Sequence, residues 1–373
     1  MIVYADLHVH IGQAKNRWVK ITASRELTIK NALSVAKKQK GLTVLGLVDS
    51  GSKVVLAEYR ELLDTGRLQE VSGGGFLSTE GLLLIPAWEL EIGEAHYLAY
   101  LPNLESLLAL TKELWPHTKN QELSTQRFNI LPQEVRILVE NLGGIFFPAH
   151  VFTPFKGFYG KAVDSLYELF MTPFTAIELG LSSSTEMAAG ITELENSVFL
   201  SNSDAHSLKR IAREYNEIDL PSLDFAGFKR ALCEGKIIAN YGLDPRLGKY
   251  YETACINCGS LFTGNERCQC GGYFVNGVRL RCEQLGGFQL STKPRPPYFK
   301  QIPLDMLPGI GPATITKLVT IGSELYVLNK ATFAEIAKVT SEKIAKVILE
   351  AREGNLAIEV GGAGFYGKAK LED

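Results

Sequence analysis

The sequence is short of several things. Its 373 residues carry 39 Lys+Arg against 41 Asp+Glu, a formal net charge of −2. Such a balance gives no global electrostatic pull toward nucleic acid or an anionic surface, so any contact of that kind has to be local. No apolar run approaches the roughly 20 residues that a membrane helix needs, and no membrane partner is expected. Met1 runs into Ile2-Val3-Tyr4-Ala5 without a charged n-region or an apolar h-region, so no signal peptide is expected and the cytoplasm is the expected location. Cysteine is scarce outside one stretch: five of the six lie between Cys255 and Cys282. That clustering fits a metal site in a reducing compartment better than a disulfide framework. What remains, 46% hydrophobic and 21% charged residues, is ordinary for a globular chain of two or three domains.

Over residues 1–245 apolar runs alternate with amphipathic stretches. Strands are expected at Ile2–His10, Leu42–Asp49, Leu82–Ile92, His96–Leu101, Gly144–His150, Ala176–Leu181 and Val198–Asp204. Helices are expected at Thr28–Lys38, Val54–Leu68, Pro132–Asn141, Val163–Met171 and Thr185–Glu195. This order predicts a parallel sheet or barrel, most simply a distorted (β/α) barrel of seven strands. Residues 246–290 are rich in Gly and Cys. Residues 291–373 open with a proline-rich basic linker, Ser291-Thr292-Lys293-Pro294-Arg295-Pro296-Pro297-Tyr298, and then turn helical.

Histidine, with six copies, is placed unevenly. His8 and His10 end the first strand two residues apart, on one face. Asp49 ends the second strand, Glu89 and Glu91 lie late in the third, and His96 is on the fourth. His150 ends the fifth, Glu178 is on the sixth, and Asp204 and His206 end the seventh. Imidazole and carboxylate are the ligand set of catalytic zinc, manganese or iron. The C-terminal rim of a βα barrel is where such sites form. The set exceeds one zinc site, so two or three divalent ions (Zn, Mn or Mg) are expected, with Glu89 as the bridge and hydrolysis of a phosphate ester as the reaction. Asp6 is read as orienting a histidine or as a weak ligand.

On these residues the chain resembles the PHP (polymerase and histidinol phosphatase) superfamily, whose fold is a distorted (β/α)7 barrel with a trinuclear metal site. The resemblance covers about residues 1–245 and implies His8, His10, Glu89, His150, Asp204 and His206 as ligands and catalytic residues, with Asp49 and His96 beside them. One departure stands out. Val48-Asp49-Ser50-Gly51-Ser52 lacks the histidine that usually follows the second strand, which leaves one metal position weakened, water-filled or completed by another residue.

Cys255-x-x-Cys258 and Cys268-x-Cys270, each pair followed by Gly, read as a four-cysteine structural zinc ribbon. Cys282 falls outside the spacing, and Cys233 is read as buried. Leu307-Pro308-Gly309-Ile310-Gly311-Pro312-Ala313 resembles a helix-hairpin-helix, in which Gly309 and Gly311 expose amides to a DNA phosphate and Lys317 contacts the next. A degenerate second copy is read at Val339–Ala345. Arg279, Arg281 and Arg295 lie in a locally basic stretch that fits phosphate neutralisation.

Barrel, ribbon and hairpin in that order resemble the endonuclease Q family. The shared stretches include Pro148–Phe155, Glu178–Ser183, Asn202–Ser207 and Ala239–Pro245. The resemblance implies a metal-dependent endonuclease acting 5′ of deaminated bases (uracil, hypoxanthine, xanthine) and abasic sites, leaving a 3′-hydroxyl and a 5′-phosphate. Its partner would be lesion-containing DNA, double- or single-stranded, with a sliding clamp or repair helicase as further partners and a nucleoid-associated location. Phe152, Tyr159 and Tyr241 are expected to form the pocket for the flipped lesion. The competing readings are a small-molecule phosphoesterase, which needs neither ribbon nor hairpin, and a non-catalytic DNA-binding scaffold with a decayed barrel.

Overall fold

The computed structural model describes residues 1–264, 266–289, 291 and 293–371; Asn265 and Leu290 of the ribbon region, Thr292 of the linker and the last two residues lie outside the described residues. All seven expected strands form, most of them shorter than expected: β1 (Ile2–Val9), β2 (Val44–Leu47), β3 (Leu83–Ile92), β4 (Ala95–Tyr100), β5 (Ile145–Pro148), β6 (Ala176–Glu178) and β7 (Val198–Leu200). Three more strands of the main sheet follow, β8 (Tyr215–Asp219), β9 (Ile237–Leu243) and β10 (Tyr298–Gln301). The main sheet runs β5-β4-β3-β2-β1-β8-β9-β10.

The sheet is mixed, which corrects the expectation of uniformly parallel strands. In that order β1–β2, β2–β3 and β9–β10 run parallel, whereas β3–β4, β4–β5, β1–β8 and β8–β9 are antiparallel. The cause lies in the connections. Gly93-Glu94 closes a hairpin too short for a helical crossover, so β4 runs back along β3. The parallel pair β6–β7 lies between the β5 end of the sheet and β9, next to its other end. On one side Val151 N–H donates to Glu178 O at 2.9 Å, and on the other Asn240 Nδ2 donates to Phe199 O at 3.0 Å. The result is a distorted α/β barrel whose seam is closed by loop and side-chain hydrogen bonds.

Helices α1 (Ile29–Ser34), α2 (Lys53–Asp64), α3 (Leu104–Leu114), α4 (Pro132–Asn141) and α5 (Phe225–Cys233) cover the barrel. Asparagine and aspartate N-caps at Asn103 and Asp224 open α3 and α5, and α4 begins on Pro132, where no amide is needed. The helix expected over Val163–Met171 reduces to a single 3-10 turn at Leu166–Glu168. Cys233 ends α5 exposed, not buried.

The ribbon region is built on a two-stranded pairing of Ala254–Cys255 with Phe274–Val275, and among the described residues its small core is Ala254 and Val275, joined by Ala363 from the C-terminal segment and packed by Ile256. It is followed by α6 (Val278–Gln284). Four short helices then pack around a second core that includes Leu318, Val327, Ile336 and Ile348: α7 (Pro312–Leu318), α8 (Glu324–Asn329), α9 (Phe333–Val339) and α10 (Glu342–Glu353). Lys40 and Glu324 form a buried ion pair between the barrel and α8. Arg210 pairs with Asp305 at 3.2 Å across the same divide. Among the described residues no helix is long and apolar enough to cross a membrane.

Candidate metal centre and cleft

β1 leaves His8 and His10 on one buried face, and each is held from behind by a carboxylate. His8 Nδ1 lies 2.9 Å from Glu178 Oε2, and His10 Nδ1 lies 3.1 Å from Asp49 Oδ2. A carboxylate on one ring nitrogen fixes the tautomer and orients the other nitrogen outward. Both Nε2 atoms are buried without a hydrogen-bond partner among the described residues, as is Asp204 Oδ1. These three groups converge: His10 Nε2 is 3.2 Å and His8 Nε2 3.6 Å from Asp204 Oδ1. Uncompensated burial of such atoms is costly, so their convergence is what a cation site requires.

A second group stands beside the first. Glu89, His96 and His150 each offer a ligand atom, all within 4.8 Å of one another, as do His8, His10 and Asp204. Glu89 stands between the groups. Its Oε1 is 3.5 Å from His8 Nε2, 3.6 Å from His150 Nε2 and 2.9 Å from His96 Nδ1, yet the last contact makes no hydrogen bond. His96 reaches Glu89 because β4 runs back: it sits directly opposite Glu91, at the start of its strand and not at its C-terminal end. His150 and Asp204 both have positive φ, +30° and +46°, the backbone strain that clusters at functional sites.

Charge in the cluster is lopsided. Burial alone would lower His8, but Glu178, Glu89 and Asp204 hold it well above its ordinary pKa. Burial would raise Glu89 and Asp204, but the neighbouring imidazoles and Lys20 hold both well below the carboxylate range: His96, Lys20 and His10 for Glu89, and His206, His10 and His8 for Asp204. The site draws in positive charge, and protons on its imidazoles are what a metal ion would displace.

Other expected residues lie elsewhere. Asp49 joins neither group; besides His10 it accepts the Ile11 amide at 2.5 Å, which makes it a support for His10. Asp6 orients backbone and not an imidazole ring, accepting from the amides of Ser203 at 3.1 Å and Ala212 at 2.8 Å. Burial pushes Asp6 up to about 6 despite those bonds. The His206 ring lies tilted against the His10 ring, 4.3 Å between centroids, but joins neither group. Burial and His10 push it down to about 4.

The two groups open into a cleft of about 840 Å³. Sequence reasoning placed Phe152, Tyr159 and Tyr241 there, and the structure does not. Phe152 and Tyr159 are buried against each other, and Tyr241 stacks at 4.7 Å on Tyr215. Phe155, Tyr250 and Tyr366 line the cleft instead, with Lys20, Arg210, Arg213 and Lys249. Tyr366 arrives from the C-terminal segment, where Arg213 donates to its hydroxyl at 2.8 Å and Lys249 lies 4.8 Å over its ring. No local motif marks Tyr366 or Lys20; only the long-range fold brings them in.

Two of the three arginines of the basic stretch are likewise turned inward. Arg281 donates to Tyr159 O at 2.7 Å and Arg295 to Ser197 O at 2.6 Å, with Arg295 lying 3.9 Å over the Phe199 ring. Arg279 pairs with Glu252 at 2.6 Å. Arg281 and Arg295 thus anchor α6 and the linker to the barrel and are not the free phosphate-binding surface expected of them, whereas Arg279 stays half-exposed within the ribbon region. At the hairpin the geometry is open. Gly309 has φ +78°, a turn glycine makes without strain, and Gly311 and Lys317 are exposed.

The four ribbon cysteines come together as expected. Cys255 and Cys270 sulfurs are 3.4 Å apart, and those of Cys258 and Cys268 3.6 Å. Thiolates about 2.3 Å from one tetrahedral ion lie roughly 3.8 Å apart, so the four can hold one metal ion. Cys282 is buried in α6, away from them.

No family model matches the chain. The Bacillus subtilis (strain 168) protein YqxK, an uncharacterised protein, is 43% identical over 385 aligned positions, covering 99% of each chain. The crystal structure of the lesion-specific endonuclease PfuEndoQ from Pyrococcus furiosus superposes with a TM-score of 0.87 at 30% identity, over 100% of this chain and 96% of that one. An endonuclease Q complex with a 27-mer duplex bearing an abasic lesion at its active site gives 0.88, again at 30% identity, over 100% and 97%. With its fold matched from end to end by both structures, the chain belongs to the endonuclease Q family of enzymes.

Proposed function

We propose that this chain is a metal-dependent DNA repair endonuclease that hydrolyses the phosphodiester 5′ of deaminated bases (uracil, hypoxanthine, xanthine) and abasic sites, leaving a 3′-hydroxyl and a 5′-phosphate. The observation that carries the reading is the coincidence of two complete metal-capable groups in one cleft with full-length similarity to an endonuclease Q bound to abasic DNA. His8, His10 and Asp204 would hold one divalent ion and Glu89, His96 and His150 a second, with Glu89 between them. When bound, such ions polarise the phosphate and lower the pKa of water to near neutrality. Zinc is the expected ion of the four cysteines, where the ribbon's small core leaves folding dependent on metal.

The protein's own part is positional. Glu178 and Asp49 hold the imidazoles of His8 and His10 in one tautomer. Arg213 donates to the carbonyl of Ser203 at 2.7 Å, which braces the loop carrying Asp204. Arg210 and Lys249 face the cleft and would bind the phosphates flanking the scissile bond. Phe155, Tyr250 and Tyr366 replace the aromatics expected from sequence as the wall for an extruded nucleotide. Extrusion is cheapest where the base is mispaired or missing. Gly309, Gly311 and Lys317 would grip the duplex away from the lesion. The scaffold reading rests on Gly51 alone, whereas two full ligand groups favour an enzyme.

The test is nicking of 5′-labelled duplexes carrying uracil, hypoxanthine, an abasic site or no lesion, with Mg²⁺, Mn²⁺, Zn²⁺ or chelator. A single metal-dependent product at each lesion and none on the undamaged duplex is expected. Lesion-independent cutting, or no product with any metal, refutes the proposal.

A further inference from the structure

The two oxygens of Glu89 have different neighbours. Oε1 faces His8, His96 and His150. Oε2 accepts from Lys20 Nζ at 2.9 Å and from the Thr125 hydroxyl at 2.8 Å, and Lys20 also donates to Thr125 Oγ1 at 2.6 Å. The Lys20 side chain is only 14% exposed, and it lines the cleft. Its backbone is fixed as well, since the Lys20 amide donates to Ile11 O at 3.1 Å. A buried ammonium with two partners in place is a built feature of the site and not a surface charge that happens to lie near it.

The ammonium also lies within electrostatic reach of Asp49, Asp204 and His206, on the side of the site where no third ligand group forms among the described residues. Gly51 supplies no side chain after β2, and Trp88 fills the space a side chain there would need. Asp49 is turned to His10 Nδ1 and the Ile11 amide. His206 lies against His10 without joining either ligand group. What surrounds the ammonium is one oxygen of Glu89, itself 3.7 Å from His10 Nε2, the lone imidazole of His206 and the engaged carboxylate of Asp49; with His10 and Asp204 committed to the first group, these are too few donors for a third ion. The positive charge present there is the lysine's.

We infer that Lys20 is a built-in cation in place of a third metal ion, so that the barrel holds two exchangeable divalent ions and carries its third positive charge covalently. The inference rests on the metal-dependent reading of the site. It has two consequences. Lys20 keeps Glu89 Oε2 occupied, which directs Oε1 to the histidines. An ammonium also has three donors; Glu89 and Thr125 take two, leaving one for a phosphate oxygen in the cleft. That contact is independent of metal concentration.

The experiment counts metal on the full-length protein, equilibrated with Mn²⁺ or Zn²⁺ and freed of excess, by elemental mass spectrometry. Three ions per chain are expected, two in the barrel and one at the cysteines; four would overturn the inference. Mn²⁺ titrations of Lys20→Met and Lys20→Arg, followed by paramagnetic resonance, provide the second readout. Lys20→Met should bind Mn²⁺ more tightly, because a repelling charge is gone, while its nicking rate falls by about 10²-fold. Lys20→Arg should keep the wild-type metal affinity and most of the rate. A Lys20→Met protein with unchanged Mn²⁺ affinity and an unchanged rate overturns the inference. If Lys20→Met does not fold, the wild-type count still decides. Because the count needs no substrate, a wild-type protein that fails to nick lesion DNA would refute the functional reading while leaving Lys20 to be judged by the count.

Discussion

Trp88 lies flat against Gly51, so close that a Cβ at position 51 would come within 2.0 Å of the indole ring. The absence of a histidine after β2 is therefore enforced from β3, the strand that also carries Glu89. We predict that Gly51→Ala destabilises the barrel by about 1–3 kcal/mol, the scale of overpacking. Gly51→His should be worse and should add no metal. Denaturant unfolding with elemental analysis checks both; a stable Gly51→His protein that gains an ion would contradict the packing argument.

The Lys40–Glu324 pair ties the barrel to the C-terminal helices. Both side chains are nearly inaccessible, at 6% and 9% exposed, and Lys40 also donates to Lys209 O at 2.9 Å. Lys40→Met leaves a buried carboxylate unpaired, at a cost of about 3–5 kcal/mol. The double variant Lys40→Met/Glu324→Leu should recover most of that loss. Urea unfolding of the two variants tests it, and equal destabilisation by both would show that the pair is not coupled.

The ribbon depends on its ion more than on its core. Cys268→Ser should release one zinc per chain and make residues 253–275 sensitive to protease. The barrel, which has a separate core, should keep its melting temperature. Loss of barrel stability in step with the zinc would mean that the two regions unfold together.

Glu214 supplies a pH signature. Burial, the dominant influence, raises its carboxyl well above the ordinary value, even though Oε1 accepts the Leu243 amide at 2.7 Å. A group whose folded pKa is raised contributes stability in full below its unfolded pKa of about 4.3 and loses it as pH rises toward the folded value. Stability should therefore fall from mildly acid to alkaline pH. Glu214→Gln keeps the acceptor and removes the ionisation, so it should flatten that fall and be more stable than wild type at about pH 8. Urea midpoints across the range decide, and a Gln variant that is less stable at every pH would contradict the assignment.

The two metal-capable groups were legible in the sequence because each of their side chains sits beside a short apolar run whose strand identity is strong. His8, His10, Glu89, His150 and Asp204 could be placed from pattern alone. The strand directions were not legible: only the Gly93-Glu94 turn reverses β4, and two residues weigh little against a long alternating pattern. The same reversal carries His96 into the site from the start of its strand. Burial of charge was also hidden. Arg281 and Arg295 read as a basic surface because sequence does not reveal that carbonyls of Tyr159 and Ser197 wait for them. Lys20, ten residues beyond His10, and Tyr366, at the far end of the chain, reach the cleft only through tertiary contacts.

The central claim is that the group of His8, His10 and Asp204 drives lesion-directed cleavage. The most direct measurement is single-turnover nicking of a 5′-labelled duplex with one abasic site by wild type and by Asp204→Asn, with folding and metal content checked on both. Wild type should give one product ending in a 3′-hydroxyl on the 5′ side of the lesion. Asp204→Asn should react at a rate at least about 10²-fold lower, with loss of barrel metal while the cysteine zinc remains. Full activity in a properly folded Asp204→Asn protein would contradict the claim.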